Sequence, residues 1–440
     1  MSGLALSALA FAVMLGLIFL RMPIGAAMLL TGLAGTWIVT GTPVPVLAQM
    51  KSLTYDTFSS YSLSIVPLFL LMGQFAAKSG MSESLFRAAA DWLGHRRGGV
   101  AMAAVGACGG FGAVCGSSLA TAATMGQVAL PEMRRLRFSD ALSTGVLAAG
   151  GTLGILIPPS VILVIYAILT EQNIIKMFVA ALVPGILAAL GYMATVAIYA
   201  RVKPEAAPTA PRVPLAERFR ALLAIWPVVF IFALVIGGIY FGVFTPTEAA
   251  AIGAVATGAY ALAVGRLSRR DFVDCVLGAA SATAMIFFIV LGAQALNTFL
   301  ALTQTPQAAA DWVTASGLSP WVVLTLILAC YLVFGCVMDS LSMILLTIPI
   351  FFPIVMALDF GLTPEETAIW FGILALMVVE IGLITPPVGL NLFIIHSLAR
   401  DIPLSDTYWG VAPFVLSDIL RIVVLAAFPG ITLWLMRAMF

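Results

Sequence analysis

Charge is the scarcest thing in this chain. Asp, Glu, Lys and Arg make up 9% of its 440 residues, against about 25% in an average soluble domain, and 62% of the residues are hydrophobic. That balance excludes an ordinary soluble fold and leaves a membrane protein. Histidine is nearly absent: His95 and His396 stand alone, with no H-E-x-x-H around either. Zinc chemistry and a zinc-type intramembrane protease therefore have nothing to work with. An aspartyl type needs two facing membrane aspartates, and only Asp339 qualifies. Cys108, Cys115, Cys275, Cys330 and Cys336 show no metal spacing and read as small packing residues. No G-x-x-x-x-G-K-[ST] occurs and no extramembrane stretch could hold a nucleotide domain, so an ATP-driven pump is disfavoured. No catalytic residues and no organic cofactor are expected. The first apolar run, 4–20, lacks a basic region before it and is expected to be a retained span rather than a cleaved signal.

Apolar runs recur from end to end, and about 20 residues at 1.5 Å rise cross a core of roughly 30 Å. Placing the basic clusters on the cytoplasmic side gives ten spans, at 3–20, 22–41, 62–79, 139–170, 174–200, 221–243, 247–265, 276–302, 366–398 and 408–432. Two long apolar segments are left over, 98–131 and 320–358. The first has Arg96 and Arg97 before it and Arg134, Arg135 and Arg137 after it, so both its ends belong inside. Each half, about 15 residues, would reach roughly 22 Å. A hairpin re-entering from the cytoplasm is expected, because a single crossing would put the two arginine clusters on opposite faces. The second segment, flanked by Asp311, Asp359, Glu365 and Glu366, is expected to enter from outside. Lys51, Lys176 and Arg437 then fall outside, with Arg421 inside the last span and both termini periplasmic.

The halves share a pattern. G-A-V-C-G-S (112–117) sits in the first hairpin and G-I-L-I-P-P (154–159) in the next span; G-C-V-M-D-S (335–340) and G-L-I-T-P-P (382–387) repeat the order. From Ser117 to Pro158 is 41 residues, and from Ser340 to Pro386 is 46. The expected fold is an all-α polytopic membrane protein of inverted repeats, with two re-entrant hairpins and two broken transmembrane helices. Its parts would be N-terminal scaffold spans (1–61), a first repeat (62–200), a cytoplasmic linker (201–220), central scaffold spans (221–275) and a second repeat (276–440). Paired interrupted segments in inverted halves point to a secondary transporter's binding site. Irregular backbone at membrane depth occurs only where protein or a water-filled cavity satisfies it.

The first tip offers Ser117 and Ser118, opposite Gly151, Thr152 and Pro158. Small residues also serve simply to let helices approach, but with the repeat included the oxygen-lined reading, a sodium site, is preferred. The second tip carries Asp339 and Ser340, opposite Thr385, Pro386, Gly389 and Asn391. A carboxylate at membrane depth is a functional hypothesis by default. Glu380 is also intramembrane in this layout and either carries protons or pairs with a neighbour. F-T-P-T-E and L-T-P-E-E read as helix starts, with Thr245 and Thr363 as caps and Glu248 and Glu366 closing capping boxes. Arg421, three residues after Asp418, reads as a local pair.

FGAVCGSSLATAATMG, GTLGILIPPS, FTPTEAAAIGAV and ITPPVGLNLF, with RMPIGAA near the start, together resemble the large membrane subunit of TRAP (tripartite ATP-independent periplasmic) transporters, of the ion transporter superfamily. The similarity covers nearly the whole chain. It implies an elevator mechanism, a multi-pass place in the lipid of the bacterial inner membrane, and symport with sodium as coupling ion. It also implies a small four-helix membrane subunit, absent from this chain, and a periplasmic substrate-binding protein that delivers an organic acid such as a carboxylate or sugar acid; no nucleic-acid partner is expected. By position, one sodium site would use Ser117, Ser118 and Thr152 with backbone near Gly151. The other would use Asp339, Ser340 and Thr385 with backbone near Gly389. Cys115 stands where the family often has serine. The alternative of the same superfamily is a stand-alone sodium-coupled carboxylate symporter or a sodium/proton antiporter.

Overall fold

The computed structural model describes residues 3–440, and every regular element among them is helical. Two apolar helices come first, α1 (Gly3–Phe19) and α2 (Ile24–Thr40). α3 (Val44–Phe58) meets α4 (Ile65–Lys78) through a short 3-10 turn with a 52° bend, and α5 (Met81–Leu93) follows. The segment at 98–131 is two helices, α6 (Gly99–Cys115) and α7 (Ser118–Arg135), broken at 116–117. The run at 139–170 is also broken: α8 (Asp140–Leu156) and α9 (Val161–Leu169) are inclined by 45° across 157–160. That break contains the cis Pro158–Pro159 bond.

α10 (Ile174–Val202) leads to the polar linker. α11 (Leu215–Ala224), α12 (Trp226–Phe232) and α13 (Gly238–Tyr240) form one bent rod, the last two joined by a π-helical turn. α14 (Pro246–Ala263), α15 (Arg269–Leu302) and α16 (Thr305–Ala315) come next. The second left-over segment is again a helix pair, α17 (Pro320–Gly335) and α18 (Ser340–Met356), with a turn at 336–339. α19 (Pro364–Gly382) and α20 (Leu390–Leu398) flank a second break, which contains cis Pro386–Pro387. α21 (Leu404–Ala427) and α22 (Pro429–Met439) end the chain.

Polar side chains set many of these starts. Ser117, Ser139, Ser160, Asn173, Ser319 and Asp339 each accept a first-turn N–H, a device worth about 1 kcal/mol per cap. Thr245 with Glu248 and Thr363 with Glu366 form the two expected capping boxes. α8 and α19 are apolar all round, and they are the innermost helices: residues 142–156 of one and 367–382 of the other are buried throughout. α6, α7, α10 and α21 pack around α8; α17, α18 and α21 pack around α19. α2, α4, α14 and α15 pack on one another, with α4 also against α6 and α15 against α18. Trp37, Trp226, Phe241 and Trp409 are exposed on outer faces, as apolar side chains facing lipid would be.

The chain departs from the expected spans in several places. α3, α5 and α16 were not anticipated, because none contains a long apolar run. The expected span 408–432 ends early: Pro429 has no N–H to continue α21 and instead starts α22. Among the described residues only α10, α15 and α21 are individually long and apolar enough to cross a bilayer, or six spans if each bent pair counts once. α1 and α2, at 17 residues, reach about 25 Å, the short end of the spanning range.

Candidate functional site

Both helix-pair tips dock on the breaks of the innermost helices. A Cβ on Gly116 would lie 3.0 Å from Pro159 O, so the first tip rests on the first break. At the second, Gly389 donates its N–H to Cys336 O at 3.2 Å; its φ of +66° is a conformation only glycine adopts freely. The repeated motifs meet in the same way in both halves. A Cβ on Gly112 would overlap the Cα of Gly154, and one on Gly382 would overlap the backbone of Gly335. The first glycine of each tip motif therefore lies backbone to backbone with the first glycine of its break motif.

The caps correct the alignment of the two tips by one residue. In sequence Ser117 matches Ser340, but in space the cap of α7 is Ser117 and the cap of α18 is Asp339. The second turn is longer, and the first helical residues, Ser118 and Ser340, become the equivalent pair. Ser117 accepts from Ala120 N–H at 3.4 Å. Asp339 accepts from Ser342 N–H at 3.0 Å through Oδ2 and from the Ser342 hydroxyl through Oδ1.

The two tips come together on Glu380 of α19. Ser340 donates its hydroxyl to Glu380 Oε1 at 2.7 Å, and the Ser118 hydroxyl interacts with the same carboxylate. All three residues are buried, and Glu380 Oε2 has no partner. Gly151 brings in the remaining predicted residue of the second break. A Cβ there would lie 3.0 Å from Asn391 Nδ2 and 3.1 Å from Ser118 O. Asn391 is fully buried, donates to Ala148 O at 3.2 Å and keeps Oδ1 without a partner. Ser118, Ser340, Gly151 and Asn391 are thus gathered into one oxygen-rich region around Glu380.

Other predicted residues point elsewhere. Thr152 donates to Ala149 O at 2.7 Å and contacts Tyr192 OH at 3.0 Å. Tyr192 in turn donates to Asp418 Oδ2 at 2.7 Å, and Asp418 Oδ1 lies 2.7 Å from Arg421 Nη2. Thr385 returns its hydroxyl to Ile381 O at 2.7 Å and is half-buried; Pro386 is exposed whereas Pro158 is buried. Tyr192 had no sequence signal beyond its place in an apolar helix. Glu380 had one, as an intramembrane acid, but its partners were illegible.

Two broken helices at the centre, each met by the turn of a helix pair that carries small and hydroxylated residues, are the arrangement of a secondary transporter's binding site. In fold the chain is similar to the solved YdaH transporter of Alcanivorax borkumensis, with a TM-score of 0.64 at 14% identity, covering 88% of this chain and 89% of that one. Residues 11–431 match the family described as "Tripartite ATP-independent periplasmic transporter, DctM component". The chain belongs to that family: it is a large permease subunit of a TRAP transporter. It is 40% identical to the C4-dicarboxylate TRAP transporter large permease protein DctM of Pseudomonas aeruginosa over 381 residues, 86% of this chain and 87% of that one. It is 32% identical to the sialic acid TRAP transporter large permease protein SiaM of Vibrio cholerae, covering 96% of each.

Proposed function

We propose that the chain imports an anionic organic acid by sodium symport, using an elevator motion in which the hairpins and broken helices slide against a scaffold. The observation that carries this reading is the convergence of Ser118 and Ser340, one from each tip, on the region between the two breaks. Hard hydroxyl, amide and carbonyl oxygens there suit a small cation. The motif-by-motif glycine contacts, together with the opposite charge flanking the two hairpins, support an inverted repeat with alternating access. Of the proposed sodium sets, Ser118, Ser340 and Gly151 are the members grouped together, and Asn391, a candidate outside those sets, joins them. Ser117 and Asp339 would act mainly by capping the tips, and Thr152 and Thr385 by holding the breaks.

The relatives named for dicarboxylate and sialic acid support an acid as substrate. A small four-helix subunit and a periplasmic binding protein would complete the transporter in the inner membrane, with both termini periplasmic. Proteoliposome uptake of a candidate acid, with and without sodium, small subunit and binding protein, tests the proposal. Uptake is expected only with all of them; full uptake by this chain alone would sink the tripartite reading and favour a stand-alone symporter. Ser118→Ala and Ser340→Ala should each raise the half-saturating sodium concentration several-fold without impairing membrane insertion. Unchanged sodium dependence in both removes the tips from the ion site.

A further inference from the structure

Glu380 and Asp418 are the two buried acids among the described residues, each about 1% exposed. Asp418 has a cation of its own, the Arg421 guanidinium. Glu380 has none. Its partners are the hydroxyls of Ser118 and Ser340, and no Lys, Arg or His pairs with it in any salt bridge. A charge buried without a counter-ion is costly, and such a group at membrane depth is retained for a reason.

Two features of the surroundings offset part of that cost. Ser118 and Ser340 are the first helical residues of α7 and α18, so two helix N-termini face it, and N-termini favour negative charge. The serine interactions leave Oε2 unpartnered and shielded from solvent. Beside Ser118, across Gly151, Asn391 Oδ1 is a second buried acceptor with no donor. Both of these oxygens lack a donor or a cation. Asp339, the other tip acid, spends both oxygens on the first turn of its own helix.

We infer that Glu380 is a direct ligand of the transported cation: Oε2 supplies the single negative charge of a monovalent-cation site shared by the two tips, with Asn391 Oδ1 as a neutral ligand. One charge suits an alkali ion. A divalent ion draws on several carboxylates, and no group of three His, Cys, Asp or Glu exists among the described residues to supply them. This inference rests on the sodium-symport reading and gives its ion a charged ligand that the sequence motifs did not assign. It also links the tips, because one ion on Glu380 would be held through a carboxylate that both first-turn serines contact.

The test reads ion binding without transport. Full-length protein purified in detergent is titrated with sodium chloride against choline chloride at constant ionic strength, and the rise in unfolding temperature gives the apparent sodium affinity. Glu380→Gln keeps an oxygen that accepts the serine hydroxyls but removes the charge. It should lose sodium affinity at least tenfold, with an unfolding temperature in choline at or above that of the parent chain. Glu380→Asp, which keeps the charge, should retain part of the affinity. Should Glu380→Gln fail to fold, Asn391→Ala provides the second reading and should weaken sodium several-fold. Sodium affinity unchanged in Glu380→Gln, or in Asn391→Ala where that variant has to stand in, overturns the assignment while leaving sodium symport intact. A parent chain with no sodium-specific shift overturns both together.

Discussion

At the scale of single residues the most consequential chain of contacts runs from Thr152 through Tyr192 to Asp418 and Arg421. It ties the helix before the first break to α10 and α21. Arg421 is 8% exposed and keeps Nε and Nη1 without partners, so its charge is compensated by Asp418 and by the Tyr192 ring 5.6 Å away. Removing the acid should leave a buried cation uncompensated. Asp418→Asn, nearly isosteric, is expected to cost about 3–5 kcal/mol, whereas Tyr192→Phe, which breaks the link to Thr152 but spares the ion pair, should cost about 1 kcal/mol. Thermal unfolding of the detergent-solubilised protein measures both, and equal losses would show that the ion pair is not what the acid contributes. The i,i+3 pair was legible in the sequence because both partners lie on one helix face. The Tyr192 contact was not, because its partner is 226 positions away and an isolated tyrosine in an apolar helix carries no signal of what its hydroxyl meets.

At the scale of elements, what could be read in advance was where helices stop. Glycine-rich and proline-paired stretches interrupt runs otherwise long enough to span, and the chain does break at 116–117, 157–160, 336–339 and 383–389. α3, α5 and α16 escaped because polar residues interrupt their apolar positions and leave no long apolar run. The one-residue shift between the tips was equally hidden, since it depends on turn length in space. The glycine contacts that seat each tip allow no side chain. Gly112→Ala and Gly382→Ala should each cost about 1–3 kcal/mol through overpacking and impair uptake, whereas Gly237→Ala, with open space around it, should be neutral or slightly stabilising. Comparable losses at all three positions would mean that close seating is not the cause, since helix propensity alone favours alanine over glycine. The start of α15 carries its own pH dependence. The Ser268 hydroxyl first, and then Lys78, hold the Asp271 carboxyl below its usual value. Its contribution is therefore present above the ordinary carboxylate range, near pH 4, and is lost as pH falls through the folded value. Asp271→Asn should flatten that part of the acid limb of an unfolding-temperature profile; an unaltered limb would show that the cap does not contribute.

At the scale of the whole molecule, two clefts occupy related places with unequal size. One, about 540 Å³, lies between α7 and the α4–α5 elbow and is lined by Lys78, Glu83, Thr124, Gln127, Pro131 and Arg266. The other, about 240 Å³, lies between α18 and the α15–α16 elbow and is lined largely by apolar residues, among them Leu300, Ile348, Pro349 and Phe352. In each, the second arm of a hairpin faces an elbow belonging to the surrounding helices. If the hairpins slide as proposed, the clefts exchange volume: the polar one narrows as the apolar one opens. The charged walls are consistent with a water-filled space, and the ion pair Arg266–Glu83 at 2.8 Å would hold the elbow in place while α7 moves past it. Tying the two walls of the polar cleft together should then stop transport without touching the tips. With Cys330, the exposed native cysteine, replaced by serine, cysteines at Ala77 and Gln127, both on the cleft, joined by a cleavable bifunctional maleimide are expected to abolish most uptake, and cleavage of the linker should restore it. A tether confined to one wall, between Thr124 and Gln127 of α7, should leave uptake nearly unchanged. Full transport with the cross-wall tether intact would mean that α7 and the elbow move as one body, and the boundary between moving and fixed parts would have to be drawn elsewhere.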